Sequence, residues 1–207
     1  MLNNLKFLVC PVCKCNLFKK SRTKLYCKEC SSHYEIRDGI PILLPPNLEE
    51  FKVLEAEYHD KEAHHYGEIN MIDSYHVTHY IDKYLEVVNT LDKDSLLLEV
   101  GSGDGNDANL ITNSGINVIQ SDISFEMVNL AKNNKVNSRI IYTVSDAENI
   151  PCKDNSLDAI MIVATLHHLP SPKNFFMEAR RALKPGGLLI IGFEPNSWPY
   201  FIFYPLI

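Results

Sequence analysis

The sequence predicts an α/β fold, a largely parallel sheet alternating with helices, preceded by a small cysteine-bearing ribbon. Three observations lead to it. Five of the six cysteines lie between positions 10 and 30. A glycine turn, Gly101-Ser102-Gly103-Asp104-Gly105, joins an apolar run to a helical stretch. Four more apolar runs of 6 or 7 residues then follow, separated by helical or polar segments, as far as Phe193. Such a strand–helix alternation is the pattern of a sheet covered by helices.

Length and charge set the frame. A chain of 207 residues accommodates one domain and a small module. With 45% hydrophobic and 22% charged residues it has the composition of a folded chain, not of a disordered one. Residues 1–46 carry a net charge of +5 and residues 47–207 carry −11. A basic cap on an acidic body suggests two modules. It also makes the body a poor grip for nucleic acid, because phosphate contact needs Lys and Arg. No run of about 20 apolar residues is present to span a bilayer, and no secretory signal is apparent. The expected compartment is the reducing cytoplasm, where clustered cysteines ligate metal rather than form disulfides.

The cysteines form two Cys-x-x-Cys pairs, Cys10-Pro11-Val12-Cys13 and Cys27-Lys28-Glu29-Cys30, with 13 residues between them. A tight turn aims both sulfurs of a pair at one point, and two such turns surround a tetrahedral zinc with sulfurs at about 2.3 Å. Cys10, Cys13, Cys27 and Cys30 are therefore the expected ligands of one structural zinc. Cys15 and His33 are alternatives, the first offset by one residue from the turn geometry and the second just beyond the second pair. Two disulfides or a redox pair are the competing readings. The stretch from Cys10 to Pro45, including Tyr34-Glu35-Ile36-Arg37-Asp38-Gly39-Ile40-Pro41, resembles the small zinc-ribbon proteins that partner and activate methyltransferases. That resemblance implies a docking surface as well as a metal, and no catalysis in the ribbon itself.

Residues 47–60 read as an amphipathic helix with Leu48, Phe51, Val53, Leu54 and Tyr58 as its apolar residues. A second helical spacing runs from Ile72 through Tyr75, Tyr80, Tyr84 and Leu85 to Asn89. His64-His65 and His76-x-x-His79 lack a carboxylate pattern that would complete a metal site, so they read as helix-face residues.

Leu96-Leu97-Leu98-Glu99-Val100 is a continuous apolar run suited to the centre of a parallel sheet. The glycines after it let the backbone turn sharply into a helix and approach a ligand closely. A dinucleotide fingerprint would need its third glycine at position 106, where Asn106 stands. The second strand, Ile116 to Ser121, ends at Asp122, 17 residues beyond Gly105, a spacing that suits a carboxylate accepting two ribose hydroxyls. The third strand, Arg139 to Val144, leads to Ser145-Asp146-Ala147. The fourth, Leu157 to Val163, is entered through Asn155-Ser156-Leu157-Asp158. Leu188 to Phe193 is the fifth, after a turn at Lys184-Pro185-Gly186-Gly187.

This ordered set, from about Glu55 to Asn196, resembles the class I S-adenosylmethionine-dependent methyltransferases of the small-molecule type. The resemblance implies a Rossmann-like sheet and a division into a zinc ribbon (1–46), a helical connector and cofactor lid (47–93) and an S-adenosylmethionine-binding domain (94–207). It implies a cofactor site of Glu99, Gly101, Gly103, Gly105, Asp122, Asp146 and Ala147, with Asp122 on the ribose and Asp146 on the adenine amino group. His167 and His168, beyond the fourth strand, are the candidates for a catalytic base, with one of the two facing the cleft. Cys152 lacks an activating neighbour and reads as a structural thiol.

The family sheet has seven strands, and only five are accounted for by Phe193. The expectation is that strands six and seven are missing because the domain is truncated at its C-terminal end; an edge covered by a partner and a membrane-facing tail are the competing readings of the apolar run from Trp198 to Ile207. A small-molecule acceptor is expected, and a protein partner could dock through the ribbon or the tail. Two other functions compete. A cofactor-binding module without catalysis would explain the short C-terminal part. An RNA methyltransferase would explain the basic ribbon, but Ala164-Thr165-Leu166-His167 stands where an Asn-Pro-Pro-Tyr type of motif would be needed.

Overall fold

The computed structural model describes residues 3–65, 81–134 and 137–194. Expectations about His76, His79 and the tail from Trp198 lie outside the described residues.

The ribbon is a four-stranded antiparallel meander: β1 (Leu17–Lys19), β2 (Lys24–Cys27), β3 (His33–Arg37) and β4 (Ile40–Leu43). Asp38 and Gly39, both at positive φ, make the tight turn between its last two strands. Helix α1 (Glu50–Ala63) follows, then α2 (Ile81–Val88). The alternating part consists of β5 (Leu96–Val100), α3 (Asn106–Thr112), β6 (Asn117–Asp122), α4 (Phe125–Asn134), β7 (Ile140–Ser145), β8 (Leu157–Val163), α5 (Pro172–Ala182) and β9 (Leu183–Gly192).

The nine strands of the described residues form one sheet, in the order β1-β2-β3-β4-β7-β6-β5-β8-β9. The junction is β4 against β7, which pair in parallel with Ile42 opposite Val144 and Leu43 opposite Ser145. The charge step at residue 46 is thus not a structural seam. The ribbon extends the sheet of the larger part and covers the edge that β7 would otherwise expose. Lys14 adds a second tie, donating to Glu178 of α5 at 2.6 Å and to the Ile150 carbonyl at 3.3 Å.

From the β4–β7 junction onward every strand pairing in the sheet is parallel. Such strands are buried on both faces, which explains why Leu96 to Val100 reads as an unbroken apolar run. Alternate residues serve opposite cores. Leu96 and Leu98 pack with Phe175, Ala179 and Ala182 of α5 and with ribbon residues Leu8, Leu25 and Tyr34. Leu97 packs with Val88, Ala108 and Ile111 on the other face. In α5, Pro172 opens the first turn and the buried side chains recur at helical spacing.

Two expected details are altered. The turn at residues 184–187 lies inside β9: the register passes from Leu157 opposite Leu183 to Ala159 opposite Leu188, so these four residues bulge out against Asp158. Lys184 then reaches Asp158 at 2.7 Å. The apolar side chains expected to be the buried side of α1 are exposed, Leu54 and Tyr58 at 57% each, whereas Lys52 is 4% exposed. The reason is electrostatic and belongs to the cleft beneath this helix.

Candidate functional site

Four parallel strands deliver their carboxyl ends to one cleft of about 220 Å³. Its walls include Gly101 and Gly103 after β5, Asp122 at the tip of β6, Asp146 and Ala147 after β7, and Thr165 and His168 after β8. The chain moves from β5 outward to β6 and β7, then crosses back to place β8 on the other side of β5. Open α/β sheets place ligands at such a reversal of strand order.

The glycine loop requires its glycines. Gly101, Gly103 and Gly105 have φ of +65°, +51° and +78°. A Cβ on Gly101 would lie 2.2 Å from Thr165 Oγ1, and one on Gly105 would lie 2.3 Å from Gln120 Nε2. Gly101 and Gly103 face the cleft; Gly105 instead starts α3 and lies against Gln120.

Asp122 is where the strand spacing puts it. Its Oδ2 accepts from the Gly103 N–H at 3.0 Å and its Oδ1 from the Ser124 N–H at 2.9 Å. Burial raises its pKa, and these N–H donors oppose the rise. Each oxygen keeps a lone pair for a further donor. Glu99 lies deeper and is 5% exposed. Its Oε2 is buried without a hydrogen-bond partner among the described residues, as is Ser102 Oγ. Burial, then the charges of Asp107, Asp104 and Asp122, push the Glu99 carboxyl well above its ordinary range. A buried orphan oxygen is costly unless a donor meets it, so this carboxyl is suited to a cationic or hydrogen-donating ligand.

Asp146 is more occupied than its sequence position suggests. Lys52 of α1 donates to its Oδ2 at 2.9 Å, Asn149 Nδ2 donates to the same oxygen at 2.7 Å, and the Glu148 N–H donates to Oδ1 at 2.9 Å. Lys52 also lies 3.1 Å from Glu148, which is buried and accepts from the Ser171 N–H at 2.8 Å. These two carboxylates are why α1 turns a lysine inward. Burial opposes the Lys52 charge, but the paired carboxylates prevail and raise its pKa. Farther along α1, Asp60 accepts from Ser124 Oγ at 2.5 Å and from the Glu126 N–H at 3.0 Å, capping α4 from another helix. No spacing in the sequence reveals Lys52, Asp60 or Glu148, because the contacts that tie α1 to Asp146, Glu148 and Ser124 span 64 to 96 residues.

The two histidines beyond β8 have different surroundings. His167 Nδ1 lies 2.8 Å from Glu194 Oε2, and Glu194 also accepts the N–H groups of Thr165, Leu166 and His167. His168 faces the cleft, with Nδ1 3.0 Å from Glu55 Oε2 and its ring edge-on to His59. Cys152 is buried, and burial pushes its thiol up to about 12, leaving it protonated and structural.

In the ribbon, Cys10, Cys13, Cys27 and Cys30 converge with all four sulfurs within 4.8 Å of one another. The pairs Cys10–Cys30 and Cys13–Cys27 are 3.5 and 3.4 Å apart. Sulfurs at about 2.3 Å from a tetrahedral zinc stand roughly 3.8 Å apart, so the four residues fit that ion closely. Tyr34 Oη lies 3.0 Å from Cys10 Sγ, where its hydroxyl can donate to a thiolate. Cys15 is turned to the Cys13 carbonyl and His33 to Lys20, so neither joins the cluster.

Comparison with known proteins finds two families along the chain. Residues 98–191 match the family described as Methyltransferase domain, and residues 4–39 match the Trm112p-like protein family. The 27-O-demethylrifamycin SV methyltransferase of Amycolatopsis mediterranei is 32% identical over 101 residues, 46% of this chain and 37% of that protein. The demethylmenaquinone methyltransferase of Renibacterium salmoninarum is 32% identical over 95 residues, 46% of this chain and 39% of that protein. The chain thus aligns with well under half the length of these relatives. Among solved structures, Haemonchus contortus phosphoethanolamine N-methyltransferase 2 in complex with S-adenosyl-L-methionine superposes with a TM-score of 0.58 at 22% identity, covering 78% of this chain and 41% of that one. A complex between the Haloferax volcanii Trm112 methyltransferase activator and a candidate methyltransferase gives 0.52 at 22% identity, covering 70% of this chain and 60% of that one. At these identities the superpositions show a shared fold.

Proposed function

We propose that this chain, which carries a methyltransferase domain at residues 98–191 and a Trm112-like ribbon at residues 4–39, transfers a methyl group from S-adenosylmethionine to a small-molecule acceptor. The observation that carries the reading is the cleft that Gly101, Gly103, Asp122 and Asp146 line together at the carboxyl ends of the parallel strands. Bound there, the cofactor supplies an activated methyl on a sulfonium. Gly101 and Gly103 give its methionine and ribose portions room against the backbone. Asp122 has an open lone pair on each oxygen for the ribose hydroxyls. Glu99 meets the amino end. Asp146 and Ala147 border the adenine position, where Lys52 already holds one Asp146 oxygen.

The residues of this chain contribute positioning and proton control. Helix α1 lies over the cleft and keeps water from part of it, while Glu194 fixes the backbone of the loop that carries His168. His168 is the imidazole on the open side, where it can take a proton from a hydroxyl, amine or acidic carbon of the acceptor. Holding acceptor and methyl in line can supply several kcal/mol of the barrier reduction.

The ribbon is read as a structural zinc module that stabilises the β7 side of the cleft through β4, and as a surface that a protein partner could share. No helix among the described residues is long and apolar enough to cross a membrane. The free cysteines suit a reducing, cytoplasmic setting. Titration calorimetry tests the cofactor assignment: S-adenosylmethionine and S-adenosylhomocysteine are expected to bind and nicotinamide dinucleotides are not. Binding of neither sulfur compound would refute it.

A further inference from the structure

We propose that Glu55, His59 and His168 form a second metal site, for a divalent transition ion of the zinc class, at the open side of the cleft. The three residues come from two distant segments, α1 and the loop after β8, and their ligand atoms all lie within 4.8 Å of one another. Glu55 Oε2 is 3.0 Å from His168 Nδ1 and 3.7 Å from His59 Nε2. Ligands at about 2.0–2.2 Å from a tetrahedral ion stand roughly 3.3–3.6 Å apart, so these spacings need only a small adjustment to close on a cation.

A separate contact prepares one of the ligands. His59 Nδ1 lies 2.9 Å from Glu62 Oε2. A carboxylate behind one imidazole nitrogen fixes the proton there and turns the other nitrogen outward as a lone pair, as in carboxylate–histidine–zinc arrangements. The other nitrogen here is Nε2, which faces Glu55. A simple helix-to-loop latch would need Glu55 and His168 alone; it gives no role to His59 or to the carboxylate that orients it. Glu55, Glu62 and Asp122 all line this cleft and make it attractive to a cation.

Two imidazoles and one carboxylate leave coordination positions for a water or for an oxygen of a bound molecule. That incomplete donor set is typical of catalytic zinc, whereas a structural site such as the four-cysteine ribbon is closed. With the ion bound, His168 is a ligand in place of the proton acceptor described above, and the acceptor class this favours is one with a hydroxyl whose proton the ion would acidify.

The test is a metal count on the full chain with its ribbon loaded. After equilibrium dialysis against zinc, elemental analysis should find two ions per chain, and one in His59→Gln, His168→Gln or Glu55→Gln. Cobalt substitution separates the sites, since only the ribbon gives thiolate charge-transfer absorption. His167→Gln, on the Glu194 side, should keep both ions. One ion in the wild-type chain, a count that needs no variant to fold, would overturn the proposal. So would two ions in the double variant H59Q/H168Q. Cofactor titration is a separate measurement, so this site and the methyl-transfer reading can fail independently.

Discussion

Lys52 and Asp146 meet 2.9 Å apart across 94 residues of sequence, and both are almost fully buried. This pair, with Glu148, joins α1 to the end of β7. Lys52→Met should therefore leave two buried carboxylates without their cation. Removing one partner of a buried ion pair costs about 3–5 kcal/mol. Urea unfolding of the variant should show a loss of that order. A loss below about 1 kcal/mol, the range of exposed pairs, would mean that the pair is open to water in solution.

Glu194 is predicted to stabilise the His168 loop in a pH-dependent way. Burial raises its pKa, but His167 and three backbone N–H groups outweigh that and hold the carboxyl below its ordinary value. A depressed carboxylate contributes stability that is complete above the usual Glu range and is lost as pH falls through the lower folded value. Thermal melts from neutral into acid should show this loss in the wild type and not in Glu194→Gln. Parallel acid profiles would refute the assignment. At neutral pH the variant should be less stable by about 1.5–3 kcal/mol, as for a lost charged hydrogen bond.

For the glycine loop, Gly101→Ala should abolish cofactor binding while leaving the ribbon's metal content unchanged. An L-residue at that positive φ costs about 1–2 kcal/mol, and the new methyl would strike Thr165. Asp122→Ala should weaken S-adenosylmethionine binding about tenfold to hundredfold, from charged hydrogen bonds worth roughly 1.5–3 kcal/mol. Calorimetry that finds full affinity in either variant would place the cofactor elsewhere.

Binding should also release a proton. Burial and neighbouring acids raise the Glu99 pKa well above its ordinary value, which favours the neutral carboxyl. A cationic amine brought to its orphan oxygen favours the carboxylate. The heat of S-adenosylmethionine binding near neutral pH should therefore depend on the ionisation enthalpy of the buffer, and Glu99→Gln should remove that dependence. Buffer-independent heats in the wild type would show that Glu99 is not the group that meets the amine.

What could be read from the sequence had short-range causes. Cys10, Cys13, Cys27 and Cys30 are recognisable because ligand spacing is set by turn geometry. Gly101, Gly103 and Asp122 are recognisable because a strand end, a turn and the next strand end recur at fixed intervals. Lys52, Asp60 and Glu148 were hidden, because a charged residue on a helix reads as solvent-facing until its distant partner is known. The apolar pattern of α1 misled for the same reason: two carboxylates outcompeted Leu54 and Tyr58 for the inward face. Of the two adjacent histidines, only the fold could tell which one Glu194 withdraws.

The β4–β7 pairing alters what metal removal should do. Separate modules would leave the glycine-loop domain untouched after chelation or Cys27→Ser. With one continuous sheet and Lys14 tied to α5, chelation should lower the single main melting transition. An unchanged main transition beside a small early one would show that the ribbon melts alone.

The same continuity affects how the molecule depends on its own abundance. Two separate proteins that pair along a sheet edge part company on dilution, and the share of complete sheets follows their concentrations. Here the edge-covering strand is linked covalently to the sheet it covers, so its local concentration is set by the tether. Each copy carries one ribbon for one cleft, whatever the expression level, and competition from other sheet edges is suppressed by proximity.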